Sequence, residues 1–284
     1  MVFRASFSLV TLCLILVGGA VGCGRNAPAA DPQHYAEDAR QAYQSALESF
    51  LDRDWEEARV KFQEVKRKYG YSQYARLSEL RLADIDFEEE KFASAITSYR
   101  AFTHDHRSDD SVPYARFRVC RSLYNQISDP LLLPPQEERD QAATFDAYRE
   151  LSSFLDDYAN SRWTKEALFM LVTTTARLMR HELYVARYYL RQDNFEAAAG
   201  RVRYALRHYE GSGFEPEAMV LLAETYLKMK RADDAREVLQ QLLSQYPASP
   251  FVKPAKNFLA AIGTTSNGAQ STAGPPVEPL SPAR

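Results

Sequence analysis

Arginine side chains provide most of the binding chemistry that this sequence offers. Between Arg180 and Tyr209, six arginines stand against three acidic residues, which leaves a local charge of +3 in a chain whose formal net charge is −3. A guanidinium presents a rigid, forked set of donors that matches a carboxylate, so the stretch suits an acidic protein partner. The alternative is a solvated face that keeps the protein soluble. The six are Arg180, Arg187, Arg191, Arg201, Arg203 and Arg207.

Arg201 is the main candidate within this stretch. The surrounding helix is predicted to bury a stripe that includes Val202, and Arg201 lies roughly 100° away from that stripe. Gly200 and Ala197 stand beside it and are small, so a partner could approach the backbone closely. We therefore predict a partner-binding surface that comprises Arg201, Arg203, Arg207, Arg187 and Arg191.

Catalytic and metal-binding constellations are scarce. His181-Glu182 begins like a zinc-protease helix, but Val185 occupies the place of the second histidine. His104 and His106 form an H-x-H pair without a nearby third ligand. Since the sequence also has no glycine-rich phosphate loop and no nucleophile elbow, we predict no enzyme activity, no metal and no cofactor. A hydrolase that acts on the cell wall is the enzymatic alternative.

A repeated segment predicts the elements that carry these residues. Tyr-x-x-Ser occurs at Tyr69, Tyr158, Tyr209 and Tyr246, and a fifth copy has His106 in the tyrosine place. Seven residues before each of these positions stands an apolar residue, and eleven before stands an alanine. Such offsets place the residues on one stripe of an amphipathic helix. The alanines are Ala58, Ala95, Ala147, Ala198 and Ala235, so the copies are spaced by 37, 52, 51 and 37 residues.

The spacing is typical of tetratricopeptide (TPR) repeats, which run about 34 residues and carry Ala-x-x-x-Phe in the second helix. We predict an all-α, TPR-like α-solenoid of five helix-turn-helix repeats, with about ten or eleven helices and no sheet. The serine of each joint is predicted to be the N-cap of the next helix. One extra helix is predicted in the long link before Phe195.

The amino terminus has the order of a secretory signal. Residues 1–22 contain Arg4, an apolar run and small residues before Cys23, which resembles a bacterial lipobox. We predict cleavage before Cys23, acylation of its thiol (the palmitate type of modification) and a lipidated tether over residues 23–33. The alternative is an ordinary secretory cut that releases a soluble exported protein.

The folded part is predicted over residues 34–262. Residues 263–284 are rich in Gly, Ser, Thr and Pro and are predicted to be disordered. The prolines around Leu131–Leu133 exclude a helix interior there, so these leucines lie in a loop that either packs on its own domain or contacts a partner. The acidic overall balance gives no support for nucleic-acid binding. Cys120 is left without a disulfide partner in the mature chain.

The segments "HELYVARYYLRQDNFEAAAGRVRYALRHYEGS" and "YANSRWTKEA", together with the lipobox, resemble the BamD family, and the resemblance covers about Tyr35 to Leu259. The family is the lipoprotein subunit of the outer-membrane β-barrel assembly (BAM) complex. The resemblance implies a periplasmic solenoid that is anchored by acyl chains in the inner leaflet of the outer membrane. It also implies docking onto the BamA POTRA domain through the carboxy-terminal repeats, with Arg201 at the family's arginine position, and contacts with other BAM subunits.

The resemblance further implies that the amino-terminal repeats bind unfolded outer-membrane β-barrel proteins. Tyr35, Tyr43, Tyr74 and Tyr114 lie in those repeats and are the candidate substrate-groove residues, although tyrosine equally suits packing between TPR helices. We therefore predict an outer membrane protein assembly factor. The alternative is a periplasmic TPR lipoprotein of the cell-envelope division or Tol–Pal system.

Overall fold

The computed structural model describes residues 32–127 and 135–270, which form helices and no strand. The elements are α1 (Pro32–Leu51), α2 (Trp55–Lys68), α3 (Gln73–Glu88), α4 (Phe92–Asp105), α5 (Val112–Gln126), a short 3-10 helix (Gln136–Glu138), α6 (Ala142–Asp157), α7 (Thr164–Arg191), α8 (Phe195–His208), α9 (Glu215–Lys228), α10 (Ala232–Gln245) and α11 (Val252–Gln270).

Each helix packs against the next one along the chain. The hairpins α1/α2, α3/α4, α5/α6, α7/α8 and α9/α10 form five repeats, and α11 packs on α10 at the carboxy-terminal end. Because contacts run mainly between neighbouring elements, the apolar core extends along the stack in successive clusters. The prediction of an all-α, TPR-like solenoid of five repeats is confirmed.

The repeated frame marks the most deeply buried positions of the second helices. A small alanine at the first position lets a neighbouring helix approach closely, and the larger residue four positions later fills the core beside it. All of these side chains are fully buried: Ala58 and Phe62, Ala95 and Tyr99, Ala147 and Leu151, Ala198 and Val202, and Ala235 and Leu239.

The tyrosine positions end the second helices as predicted, but the serines differ from the prediction. Tyr69, His106, Tyr158, Tyr209 and Tyr246 are the C-cap residues.

Of the four serines in the Tyr-x-x-Ser segments, only Ser72 is an N-cap, with its side chain accepting a hydrogen bond from the Ala75 N–H. The prediction was wrong for Ser161, Ser212 and Ser249. Each of these lies two residues before the N-cap and accepts from the backbone N–H of that residue, at 3.1–3.3 Å. At these three joints the next helix begins two residues later than predicted, because the serine hydroxyl closes a local turn that precedes the N-cap.

The predicted extra helix before Phe195 is also wrong. Residues 164–191 form one continuous helix of 28 residues, since the segment contains neither glycine nor proline to interrupt it. The eleventh helix is α11 instead, and it continues to Gln270, past Ile262. Residues 1–31, with the predicted signal and Cys23, lie outside the described residues. So do Leu131–Leu133 and residues 271–284.

Candidate functional site

Helix α8 positions three of the predicted surface arginines, Arg201, Arg203 and Arg207, and α7 carries Arg187 and Arg191. The start of α8 is capped by Asn194, whose side chain accepts from the Ala197 N–H at 3.2 Å. Ala198, Val202 and Ala205 bury one stripe of the helix against α7 and α9. The arginines therefore emerge on either side of this stripe rather than as one patch.

Arg201 borders a shallow concavity of about 350 Å³ between α7 and α8. Tyr189, Ala197, Gly200 and Tyr204 complete its lining, and these five residues are called the Arg201 surface below. A Cβ atom placed on Gly200 would meet nothing within 4 Å. The backbone is thus open to close approach at this position, as the small residues predicted.

The Arg201 side chain is 45% exposed and held by one partner. Its Nη1 donates to Glu182 Oε2 at 3.3 Å, and the Glu182 side chain is only 9% exposed. This contact leaves the other guanidinium donors available to a second carboxylate. Glu182 was missed as a site residue because its partner lies 19 positions later, on the neighbouring helix.

Tyrosines extend the Arg201 surface toward α6. Tyr204 and Tyr148 both pack edge-on against Tyr209, with ring centroids 5.9 and 5.8 Å apart. The Tyr148 hydroxyl donates to the His208 carbonyl at 3.1 Å. Burial and the hydrogen bond with Tyr204 raise the pKa of Tyr209, so this group stays neutral. Tyrosine and arginine are the side chains that most often dominate protein–protein contacts.

The other predicted arginines fall into two groups. Arg187 forms an ion pair with Glu217 across α7 and α9. Arg191, Arg203 and Arg207 form no ion pair with any described residue. The five arginines therefore do not act as a single patch: two are tied to carboxylates on neighbouring helices, and three are not.

A buried polar cluster occupies the amino-terminal repeats, where Asp84 is only 2% exposed. It accepts hydrogen bonds from the hydroxyls of Tyr99 at 2.5 Å and Tyr114 at 2.6 Å. Arg81 lies 2.6 Å and Arg118 3.4 Å from its carboxylate. We call Asp84, Tyr99, Tyr114, Arg81 and Arg118 the Asp84 cluster, which ties α3, α4 and α5 together.

The structure brings three of the four candidate groove tyrosines to this region. Tyr43 is 8% exposed, its ring packs 5.6 Å from that of Tyr74, and its hydroxyl accepts from Arg81 Nε at 3.3 Å. The Tyr114 hydroxyl is used by Asp84, and burial and Asp84 raise its pKa. Tyr35 lies apart and packs edge-on against Tyr69.

The histidines and the cysteine singled out in the sequence are paired or buried. His106 contacts Glu79 and His104 contacts Asp105, each at 2.8 Å. Cys120 is fully buried, and burial raises the pKa of its thiol. In the part of the chain that the structure describes, no three His, Cys, Asp or Glu side chains cluster as metal ligands. None of the helices described is long and apolar enough to cross a membrane.

These features define a helical-repeat binding scaffold with an arginine- and tyrosine-rich surface. Residues 35–238 match the sequence profile of the YfiO family, described as "Outer membrane lipoprotein", and the chain belongs to this family.

Several relatives carry the name "Outer membrane protein assembly factor BamD". That of Xylella fastidiosa strain 9a5c is 29% identical over 70% of each chain. That of Caulobacter vibrioides is 26% identical over 95% of this chain and 84% of its own. Among solved structures, a thermophilic TPR protein of Thermus thermophilus is 15% identical, with a TM-score of 0.32, over 78% of this chain and 99% of its own. The resemblance to the BamD family is thus confirmed, and the division or Tol–Pal alternative gains no support.

Proposed function

We propose that this protein is a lipid-anchored, periplasmic scaffold of the BAM complex that helps to deliver, fold and insert β-barrel proteins into the outer membrane. It performs no chemical step itself. Membership of the outer membrane lipoprotein family supports the location, and the name shared by its relatives supports the process. The observation that carries the scaffold role is the Arg201 surface, an open concavity beside a half-exposed arginine.

The Arg201 surface docks onto the BamA POTRA domain in this proposal. The contact with Glu182 restricts the orientation of the guanidinium, so less side-chain freedom is lost when a partner carboxylate binds. Tyr189 and Tyr204 flank the arginine and supply apolar contact area with few rotatable bonds. Gly200 allows the partner's backbone to approach that of α8.

Replacement of Arg201 by glutamate tests this docking. A charge left unpaired in an interface costs about 2–5 kcal/mol, so co-purification of BamA from detergent extracts should fall by about 30-fold or more. Arg201→Lys keeps the charge but not the fork, and it should cost less. Arg67→Glu is the control, because Arg67 is exposed on α2, far along the chain from the Arg201 surface. Undiminished capture of BamA by Arg201→Glu would contradict the docking assignment.

The amino-terminal repeats contact unfolded β-barrel substrates in this proposal. Tyr35, Tyr74 and Tyr114 are half-buried and retain some exposed surface, whereas Tyr43 is buried. The hydroxyls of Tyr43 and Tyr114 are engaged by Arg81 and Asp84. Depletion of the protein in cells tests the process as a whole. Many outer-membrane barrels should be lost together. Chained cells with normal barrel levels would instead indicate a division or Tol–Pal role.

A further inference from the structure

A second concavity opens on the other flank of α8. It encloses about 440 Å³ between α8, α9 and α10, within the range of about 300–1000 Å³ that is common for ligand sites. Leu206, Met219, Leu222 and Val238 give it an apolar floor. We call this space the α8–α10 cleft.

Two arginines line the cleft. Within the described part of the chain, Arg203 donates only to the Tyr226 hydroxyl, at 3.2 Å, and Arg207 donates only through Nε to the Arg203 carbonyl, at 3.3 Å. Neither forms an ion pair with a described residue. Two acids also border the cleft: Glu215, whose Oε1 is occupied by the Ser212 N–H and hydroxyl, and Glu210, which is exposed. The donors of both guanidinium groups therefore remain available to a carboxylate from outside.

The opposite wall is polar and uncharged. Gln241 and Gln245 on α10 are exposed, and their side chains make no hydrogen bond within the described part of the chain. A primary amide both donates and accepts, so this wall suits the N–H and C=O groups of an extended peptide. Tyr246 closes one end of the cleft.

We propose that the α8–α10 cleft binds an acidic peptide segment of a partner protein, with an apolar side chain on the floor and carboxylates against Arg203 and Arg207. The charge of the arginine wall selects acidic over basic segments, and the floor selects apolar over fully polar ones. Arg201 and Arg203 point about 160° apart around α8 at the usual 100° per residue, so this contact is separate from the Arg201 surface. It rests on the proposed scaffold function and adds a second docking site to it.

A defined peptide tests the cleft. A fluorescein-labelled peptide that alternates leucine and glutamate is titrated with the full lipoprotein in detergent, and binding is followed by fluorescence anisotropy. A peptide that alternates leucine and lysine is the charge control. Arg207→Glu should weaken binding of the acidic peptide by about tenfold or more, as expected for loss of a charge-assisted contact and its reversal.

Arg67→Glu is the matched control variant. Arg67 and Arg207 are both exposed residues in the last turn of a 14-residue second helix, so both replacements place an acid at the same helix position. Binding of the acidic peptide should be unchanged by Arg67→Glu. Equal weakening by both variants, equal binding of both peptides, or no binding of the acidic peptide would overturn the proposal.

Co-purification of BamA separates the two hypotheses. If the acidic peptide fails to bind while BamA is still captured through the Arg201 surface, only the cleft assignment fails. If the unaltered protein does not capture BamA at all, the docking function itself fails, whatever the peptide does.

Discussion

Replacement of Asp84 by asparagine should destabilise the amino-terminal repeats. Asp84 is 2% exposed and receives two tyrosine hydroxyls while lying beside two arginines. Asparagine keeps the shape and one acceptor oxygen but removes the charge. Arg118, itself 8% exposed, would then keep its hydrogen bond to the Tyr99 hydroxyl at 2.9 Å. Its remaining acidic partner among the described residues would be Glu88, which lies 3.6 Å away with a side chain 43% exposed.

The expected cost follows from the buried charge that is left behind. Breaking a buried ion pair by removing one partner costs about 3–5 kcal/mol, and the retained acceptor oxygen places this change near the lower end. At about 2–4 °C per kcal/mol for a domain of this size, thermal unfolding should shift down by about 6–12 °C. Asp234→Asn is the control, because Asp234 pairs with Arg231 at the surface and its loss should leave the transition in place.

Hydrogen exchange locates the effect within the solenoid. Stability in a repeat array is a sum of local terms, so amides of α3 to α5 should lose protection while those of α9 and α10 keep theirs. The double variant Asp84→Asn with Arg118→Met should recover part of the loss, since it removes the charge left without its main partner. A cost below about 1 kcal/mol for Asp84→Asn, or strictly additive costs in the double variant, would refute the reasoning.

Two further predictions concern α8 and α1. Gly200→Ala should stabilise the protein by about 0.5–1 kcal/mol in chemical unfolding, because glycine weakens a helix interior and a Cβ atom there meets nothing within 4 Å. Gly200→Leu should preserve stability but reduce the capture of BamA. Unchanged capture of BamA by Gly200→Leu would argue against close approach of a partner at this residue. Hydrogen bonds from Arg40 and then Gln41 hold the pKa of Glu37 at about 2, below the ordinary value of 4.5. Because the pKa of Glu37 is lowered on folding, the stabilising effect of its carboxylate is fully present above pH 4.5 and is lost as the pH falls through about 2. The carboxyl carbon signal of Glu37 should therefore titrate near pH 2 in NMR. A titration midpoint near 4.5 would contradict the contact with Arg40.

The repeat could be predicted from sequence because it depends on residues that are close along the chain. Ala198 and Val202 lie on one helical stripe and must be buried if the helix packs at all, so their separation alone carries the information. The ends of the second helices, at a tyrosine or at His106, could be predicted for the same reason. The serine caps were predicted less well, because two extra turn residues move the N-cap without changing the sequence pattern.

Contacts between helices could not be predicted in this way. Asp84 meets Tyr99, Tyr114 and Arg118 only after three helices have stacked, and no local pattern marks an aspartate that will be buried. The pairing of Glu182 with Arg201 could not be predicted either, because the sequence gives only the summed charge of the stretch and not which acid contacts which arginine. The sequence therefore indicates the net charge of the arginine stretch, but not which arginines pair with a carboxylate on a neighbouring helix.

That distinction changes how the arginine stretch should be understood. A net local charge of +3 would steer any acidic surface toward α8, and this long-range effect does not depend on which arginine is paired. Specific docking does depend on pairing, because a partner carboxylate shares Arg201 with Glu182, whereas Arg203 and Arg207 form no ion pair with a described residue. Salt should therefore weaken both surfaces, whereas single substitutions should separate them. A helix with a buried stripe between two such flanks can contact two partners at once, which is what a scaffold subunit requires.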